Sequence, residues 1–268
     1  MEATVTGMNR TGTAMSPAGT QAMTEAADAL TPVVPIDTAA AEADRLTYIS
    51  EADALGSIPP PASVKGVLKS GMAKLKGGAP SIFMDKIGER LAYERSGVRF
   101  YQALVNKYQA VQALGAEVLL PADRLPPPDG AAGPVGSVPG EQPLQTLMRI
   151  QQEELAHFRM LGEAMVKMGG DPTAQTPCAD VVGTAGIGWM QVLTDPRTTF
   201  AQCLNTILSV ELTDNAGWEL LVQLAEDAGE AELAGRFLGA LAQEQEHLAI
   251  VKGWLTALVA EGAGTPAV

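Results

Sequence analysis

The stretch "EELAH", residues 153–157, contains one of only two histidines in a chain of 268 residues. The other histidine lies in "EQEH", residues 244–247. Both histidines, His157 and His247, follow a glutamate by three positions. On an α-helix, residues three apart lie on the same face, so each histidine would stand beside its glutamate. The repeat of this spacing makes the surrounding helices the natural place to look for a site.

The apolar spacing from residue 81 onward is helical, with no convincing period-two alternation. We expect four long helices, over about residues 81–115, 142–168, 197–227 and 229–260. A short helix is expected near 180–194. A Pro- and Gly-rich loop at 121–143 joins the first two long helices, and a short link near Gly229 joins the last two. Two hairpins with a long crossover between the second and third helices form a recognised four-helix topology.

Residues 1–80 differ from the rest of the chain because they are rich in Ala, Thr, Pro and Gly. We expect a largely disordered or peripheral N-terminal extension that is mostly irregular, including an extended stretch "TPVVPIDTAAAEAD", followed by a helical domain over residues 81–268. The stretch "SVKGVLKSGMAKLKGG", residues 63–78, has a pattern that fits a short helix packed on its own core. A helix that docks on a membrane or a partner is the alternative.

Each of the four predicted long helices carries one glutamate within its own apolar stripe. The neighbours of Glu94 on its helical face are all apolar or aromatic: Ile87, Leu91, Val98, Tyr101 and Val105. Similar stripes surround Glu154, Glu211 and Glu244. Isolated carboxylates are almost never buried, because the loss of hydration costs several kcal/mol. Two divalent cations would neutralise four such carboxylates, whereas an ordinary solvent-facing Glu-x-x-His pair would leave their apolar surroundings unexplained.

This set of residues resembles the ferritin-like di-iron carboxylate proteins, in which two helices supply one glutamate each and two supply Glu-x-x-His. The resemblance covers about residues 81–260 and implies an all-α, ferritin-like four-helix bundle. It implies that Glu154 and Glu244 bridge two metal ions, that Glu94 and Glu211 are terminal ligands, and that each histidine binds one ion. The ions implied are two irons, or alternatively two manganese ions.

Two further residues take their expected roles from the same resemblance. Asp214 lies one turn after Glu211 and is similar to the extra carboxylate of rubrerythrin-type members. The alternative is that Asp214 is a surface residue, or that it contacts the metal ligands without binding a metal ion itself. Tyr101 is similar to the tyrosine near the metals of ferritins and rubrerythrins, where it would donate a hydrogen bond to a ligand or relay an electron. Plain core packing is the alternative for Tyr101.

The activity implied is that of a di-iron oxidoreductase that oxidises Fe(II) or reduces O₂ or H₂O₂. The sequence has two cysteines, Cys178 and Cys203, and therefore lacks the four-cysteine iron site of rubrerythrins, so the electron donor is unknown. Two alternatives stay open. One is manganese catalase-type disproportionation of peroxide, and the other is a non-catalytic bundle that binds or stores metal.

The composition limits the partners that the chain is expected to have. A formal net charge of −13 argues against nucleic-acid binding, which needs a basic surface. No uninterrupted apolar run is long enough to span a bilayer. We expect a cytoplasmic protein; the resemblance adds Fe(II), O₂ or H₂O₂ as small substrates, and a homo-oligomer such as a dimer is the expected assembly.

Overall fold

The computed structural model describes residues 16–34, 37–53, 55–56, 58, 67–68, 80–115, 119–125 and 138–264. Its α-helices are α1 (Pro17–Leu30), α2 (Ala39–Glu51), α3 (Pro80–Ala113), α4 (Pro143–Met168), α5 (Pro177–Thr194), α6 (Phe200–Asp227) and α7 (Ala231–Gly264). The described residues contain no β-strand, which confirms the all-helical prediction. None of the described helices is long and apolar enough to cross a membrane.

The chain divides into two compact units between Leu55 and Gly56. Helices α1 and α2 belong to the first unit, and neither of them has a buried residue. The prediction of irregular chain was wrong for both segments. Runs of Ala, Glu and Leu favour a helix without any burial, and Pro17 suits the first helical position. Of the helix predicted at 63–78, only Val67 and Leu68 are described, and both are helical.

The second unit contains α3 to α7. Helix α3 lies against α4, α5 and α6, while α7 lies against α6 and α4. The ends of the long helices fall within a few residues of the predicted positions. Helix α6 begins at Phe200 because the Thr199 hydroxyl accepts from the Gln202 amide and the Gln202 side chain accepts from the Thr199 amide. Such a reciprocal cap satisfies two amides that no helical carbonyl can reach.

Different features fix the connection between α3 and α4 and the connection between α6 and α7. The turn between α6 and α7 contains Gly229 at a φ of 71°, a backbone conformation that glycine adopts without a steric penalty. The longer connection between α3 and α4 is described at 119–125 and 138–142. Within it, the carbonyl of Leu120 accepts a hydrogen bond of 2.7 Å from the indole of Trp254 on α7. This hydrogen bond holds the connection between α3 and α4 against α7.

Buried apolar side chains form two clusters at different heights along the long helices. One cluster contains Phe100, Leu147, Ile207 and Val251, among others. The other contains Ile87, Leu161, Trp218 and Phe237, among others. On α4, α6 and α7, the glutamate that the sequence analysis singled out lies between residues of the two clusters, and on α3 Glu94 directly follows Tyr93 of the first cluster. The fold therefore places those glutamates in a single layer between two apolar ones.

Candidate metal centre

Seven acidic or histidine side chains are buried together in that layer, and we call them the carboxylate–histidine cluster. They are Glu94 on α3, Glu154 and His157 on α4, Glu211 and Asp214 on α6, and Glu244 and His247 on α7. Each is at most 2% exposed. Because charged groups are rarely buried without partners, such a cluster demands compensating charge.

Ligand atoms of the cluster lie close enough to hold metal ions at two overlapping positions. Within each group of residues, one ligand atom per residue lies within 4.8 Å of the others. The His247 position is formed by Glu154, Glu211, Glu244 and His247. The His157 position is formed by Glu94, His157 and Glu244. A third group contains Glu94, Glu154, Asp214 and Glu244. Glu244 belongs to every group, so it can contact both positions.

Five buried polar atoms of the cluster form no hydrogen bond of regular geometry among the described residues, although two of them, His157 Nδ1 and Glu244 Oε1, lie 2.7 Å apart. They are Glu94 Oε2, Glu154 Oε2, Glu211 Oε2, Glu244 Oε1 and His157 Nδ1. Buried polar atoms are almost always hydrogen-bonded, and a cluster of exceptions needs a reason such as a bound ion. Carboxylate oxygens and an imidazole nitrogen are donors that suit iron, manganese and zinc. The residues present therefore fit a metal centre.

Both histidines turn Nδ1 towards the glutamates and Nε2 away from them. His157 Nδ1 lies 2.7 Å from Glu244 Oε1, and His247 Nδ1 lies 3.1 Å from Glu244 Oε2. On the outer side, His157 Nε2 is 2.9 Å from Gln243 Oε1, and His247 Nε2 is 2.8 Å from Glu153 Oε2. Each Nε2 thus has an acceptor that fixes the ring and leaves Nδ1 as the ligand atom.

Glu153 corrects an expectation from the helical pattern, which rotates it away from the stripe of Glu154 and predicts a solvated side chain. Its side chain is only 20% exposed and reaches His247 across to α7. Arg149, one turn earlier, pairs with Glu153 at 3.0 Å. Burial alone would raise the pKa of Glu153, but the hydrogen bond to His247 and the charge of Arg149 lower it below the ordinary value.

Two aromatic side chains donate hydrogen bonds to the cluster, each from one hairpin to the other. The Tyr101 hydroxyl on α3 donates to Glu211 Oε1 on α6. The Trp218 indole on α6 donates to Glu94 Oε1 on α3 at 3.0 Å. Of the roles predicted for Tyr101, the structure thus has the hydrogen bond to a glutamate of the cluster. The role of electron relay stays a prediction.

Arg90 is a buried cation that the sequence analysis missed. Its guanidinium donates to Glu94 Oε1 at 3.1 Å and pairs with Asp214 Oδ1. Its position, four residues before Glu94, puts it on the same helical stripe, and this spacing was the available signal. Five carboxylates and one guanidinium leave four negative charges, which two divalent cations would balance. Asp214 has contacts for both predicted roles, since it pairs with Arg90 and also belongs to a potential ligand group.

The pKa shifts within the cluster follow from burial and from the closeness of the charged groups. Burial raises the pKa of Glu211 to about 8, and the charge of Glu244 adds to that rise. Burial and the neighbouring glutamates also raise the pKa of Glu154 well above its usual range. Burial alone would lower the pKa of His157, but the neighbouring carboxylates of Glu244 and Glu94 raise it to about 11. Burial and like charge thus favour the protonated forms of Glu154 and Glu211 when no cation is bound.

A glycine makes room for one of the carboxylates. A Cβ atom at Gly97 on α3 would overlap the Oε2 atom of Glu154 on α4. Any larger residue at this position would push the carboxylate away from the cluster. The absence of a side chain at Gly97 is thus a local requirement of the site.

Comparison with protein-family models, with curated proteins and with solved structures finds no match for this chain. The residues and geometry described above therefore carry the functional argument.

Proposed function

We propose that this chain is a ferritin-like, dinuclear metal oxidoreductase, with two iron ions in the carboxylate–histidine cluster. The observation that supports the proposal is the group of buried oxygen and nitrogen atoms that form no regular hydrogen bond, gathered from four helices within ligand distance of one another. These atoms converge where two divalent cations would balance four negative charges. In this proposal α3, α4, α6 and α7 form the four-helix bundle, and α5 lies in the crossover.

Each residue has a definite task in the proposed centre. Glu244 would contact both ions, because it belongs to the ligand groups of both positions, and Glu154 would share this role through its group with Glu94, Asp214 and Glu244. Glu211 and Glu94 would be terminal ligands, held in place by the hydrogen bonds from Tyr101 and Trp218. His247 and His157 would each bind one ion through Nδ1.

The pair of ions would supply one-electron changes at two adjacent centres, which suits the two-electron reduction of O₂ or H₂O₂ with Fe(II) as the electron source. The protein holds the ligands in an apolar setting between two layers of buried side chains. Such a setting keeps water from the reacting atoms and strengthens electrostatic interactions. Arg90 keeps the layer at the charge that two divalent ions neutralise.

The experiment is metal analysis of protein purified from its native host, followed by stopped-flow absorbance after Fe(II) and then O₂ or H₂O₂. We expect about two ions per chain, and turnover that is lost in Glu154→Ala. Glu163→Ala is the matched control because Glu163 is an exposed glutamate of the same helix, paired with Arg236. A chain that binds no metal, or an unchanged rate in Glu154→Ala, would falsify the proposal.

The same assay separates the two alternatives. Release of O₂ from H₂O₂ by manganese-loaded protein, without any reductant, would replace the proposal with catalase-type disproportionation. Tight binding of two ions without any turnover would replace it with metal binding or storage.

A further inference from the structure

The two metal positions are built from matching ligands but have different outer partners. His247 Nε2 is bound to a carboxylate, Glu153, whereas His157 Nε2 is bound to a neutral amide, Gln243. The two acceptors are equivalent by position, because each directly precedes the bridging glutamate of its helix. The difference between them is therefore one of charge at otherwise corresponding places.

A carboxylate behind a ligating imidazole strengthens the ligand more than an amide does. It accepts the outer N–H in a charge-assisted hydrogen bond and so makes the inner nitrogen a better donor to a cation. Arg149 reduces the charge of Glu153 only in part, because the same guanidinium also pairs with Glu141 and Glu246. One cation facing three carboxylates leaves this side of the cluster negative.

The terminal glutamates differ in the same direction. Glu94 Oε1, at the His157 position, accepts from both the Arg90 guanidinium and the Trp218 indole. Glu211 Oε1, at the His247 position, accepts from the neutral Tyr101 hydroxyl. A positive donor withdraws electron density from a carboxylate and weakens its attraction for a second cation.

We infer that the two positions fill in a fixed order, the His247 position first, and that Glu153 is the positioning residue that sets this order. The inference rests on the metal centre proposed above and adds to it that the two ions are inequivalent. The first ion would be held more tightly by about tenfold or more, the usual effect of a partner behind a metal ligand. Filling of the His157 position would then complete the centre.

The test is an anaerobic titration of the metal-free, full-length protein with Co(II), followed by calorimetry and by the d–d absorption bands. We expect two phases in the wild type. Glu153→Gln should weaken the first phase by about tenfold or more and shift its absorption bands, because the imidazole becomes a weaker donor. Gln243→Glu should strengthen the second phase, and the double exchange should reverse the order of the two positions.

Glu141→Gln is the matched control. It removes the same charge from the same Arg149 group without touching a histidine, so it should shift the first phase far less and leave the absorption bands unchanged. Circular dichroism checks that each variant is folded. Equal effects of Glu141→Gln and Glu153→Gln would overturn the role of the hydrogen bond.

Two results distinguish this inference from the proposed function. Binding of two Co(II) ions with equal affinity in the wild type would overturn ordered filling and leave the metal centre standing. No Co(II) binding by the wild type would overturn the metal centre itself.

Discussion

The α3–α4 hairpin and the α6–α7 hairpin are two versions of one pattern. The first helix of each hairpin carries a buried glutamate and, seven residues later, an aromatic side chain that donates a hydrogen bond. The second helix of each carries Glu-x-x-His. They differ at two equivalent places beside the first glutamate. Four residues before it stands Arg90 in one hairpin and Ile207 in the other. Three residues after it stand Gly97 and Asp214.

This difference shows which features of the proposed metal centre occur in both hairpins and which occur in only one. The ligands are repeated because each ion needs a similar set of donors. The compensating charge is not repeated, since one ion pair joins the hairpins diagonally, from Arg90 on α3 to Asp214 on α6. The centre is therefore symmetric in its donors and asymmetric in its charge.

The largest expected effect comes from removal of the buried Arg90 guanidinium. Arg90→Met should lower the free energy of unfolding by about 3–5 kcal/mol, because Asp214 stays buried without its partner. Chemical denaturation of the metal-free protein measures the loss. Adding Asp214→Asn to the same chain should restore part of it, since the buried carboxyl group left without its partner is then removed.

Ile207→Met is the control at the equivalent place of the other hairpin. A swap that nearly conserves volume in an apolar core should cost less than about 1.5 kcal/mol. Equal losses from the two substitutions would mean that the hairpins do not differ in charge as described.

The second effect is a pH dependence of the metal-free protein. The pKa of Glu211 rises from its ordinary value of 4.5 to about 8, so between these values the folded chain binds more protons than the unfolded chain. Stability must then fall as the pH rises through this window. The pKa of His157, raised from 6.5 to about 11, acts in the same direction at higher pH.

We therefore expect the melting temperature of chelator-treated protein to fall steadily between pH 5 and pH 9. Metal-loaded protein should lose this trend, because cations and not protons then neutralise the cluster. Thermal scans across pH, with and without metal, check both statements. A melting temperature that rises with pH in the metal-free protein would contradict the protonation described above.

The third effect is smaller and concerns Gly97, which stands in the α3–α4 hairpin at the position that Asp214 occupies in the α6–α7 hairpin. Gly97→Ala should displace the Glu154 carboxylate, weaken metal binding by about tenfold and cost about 1–3 kcal/mol through overpacking. Gly183→Ala on α5 is the control, because no atom lies within 4 Å of a Cβ there. That change should be neutral or slightly stabilising, since alanine favours a helix. Similar metal affinities in the two variants would argue against a tight fit at Gly97.

The smallest effect is expected from the hydrogen bond that Tyr101 donates to Glu211. Tyr101→Phe should cost about 1 kcal/mol, the net contribution of one buried hydrogen bond. Trp218→Phe, at the equivalent place in the other hairpin, should cost more, because it also leaves a cavity in the core. Denaturation curves for both variants check this order, and a larger loss in Tyr101→Phe would reverse it.

The four long helices and the members of the carboxylate–histidine cluster were predictable from the sequence because burial imposes a regular spacing. Glu94, Glu154, Glu211 and Glu244 interrupt apolar stripes of period 3.6, and that conflict marks them without any knowledge of the fold. The spacing also fixes helix ends to within a few residues, since caps and glycines interrupt it.

The contacts between helices were not readable, because they depend on how the helices are turned and spaced. The bond from His247 to Glu153 depends on the rotation of α4 against α7. The pair of Arg90 with Asp214 spans 124 residues of sequence and depends on the distance between α3 and α6. Helices α1 and α2 were missed for another reason, because they have no buried face and hence no stripe.

The exchange of hydrogen bonds between Tyr101 and Glu211, and between Trp218 and Glu94, has a consequence for assembly. In each hairpin, the terminal glutamate accepts a hydrogen bond from an aromatic side chain of the other hairpin. A separated hairpin would therefore leave that carboxylate without this hydrogen bond. Because ligands from both hairpins bind the same ions, metal binding would stabilise the packing of one hairpin against the other. Chelation should loosen that seam first, and amide hydrogen exchange along α3 and α6 would register the loosening before the helices themselves unwind.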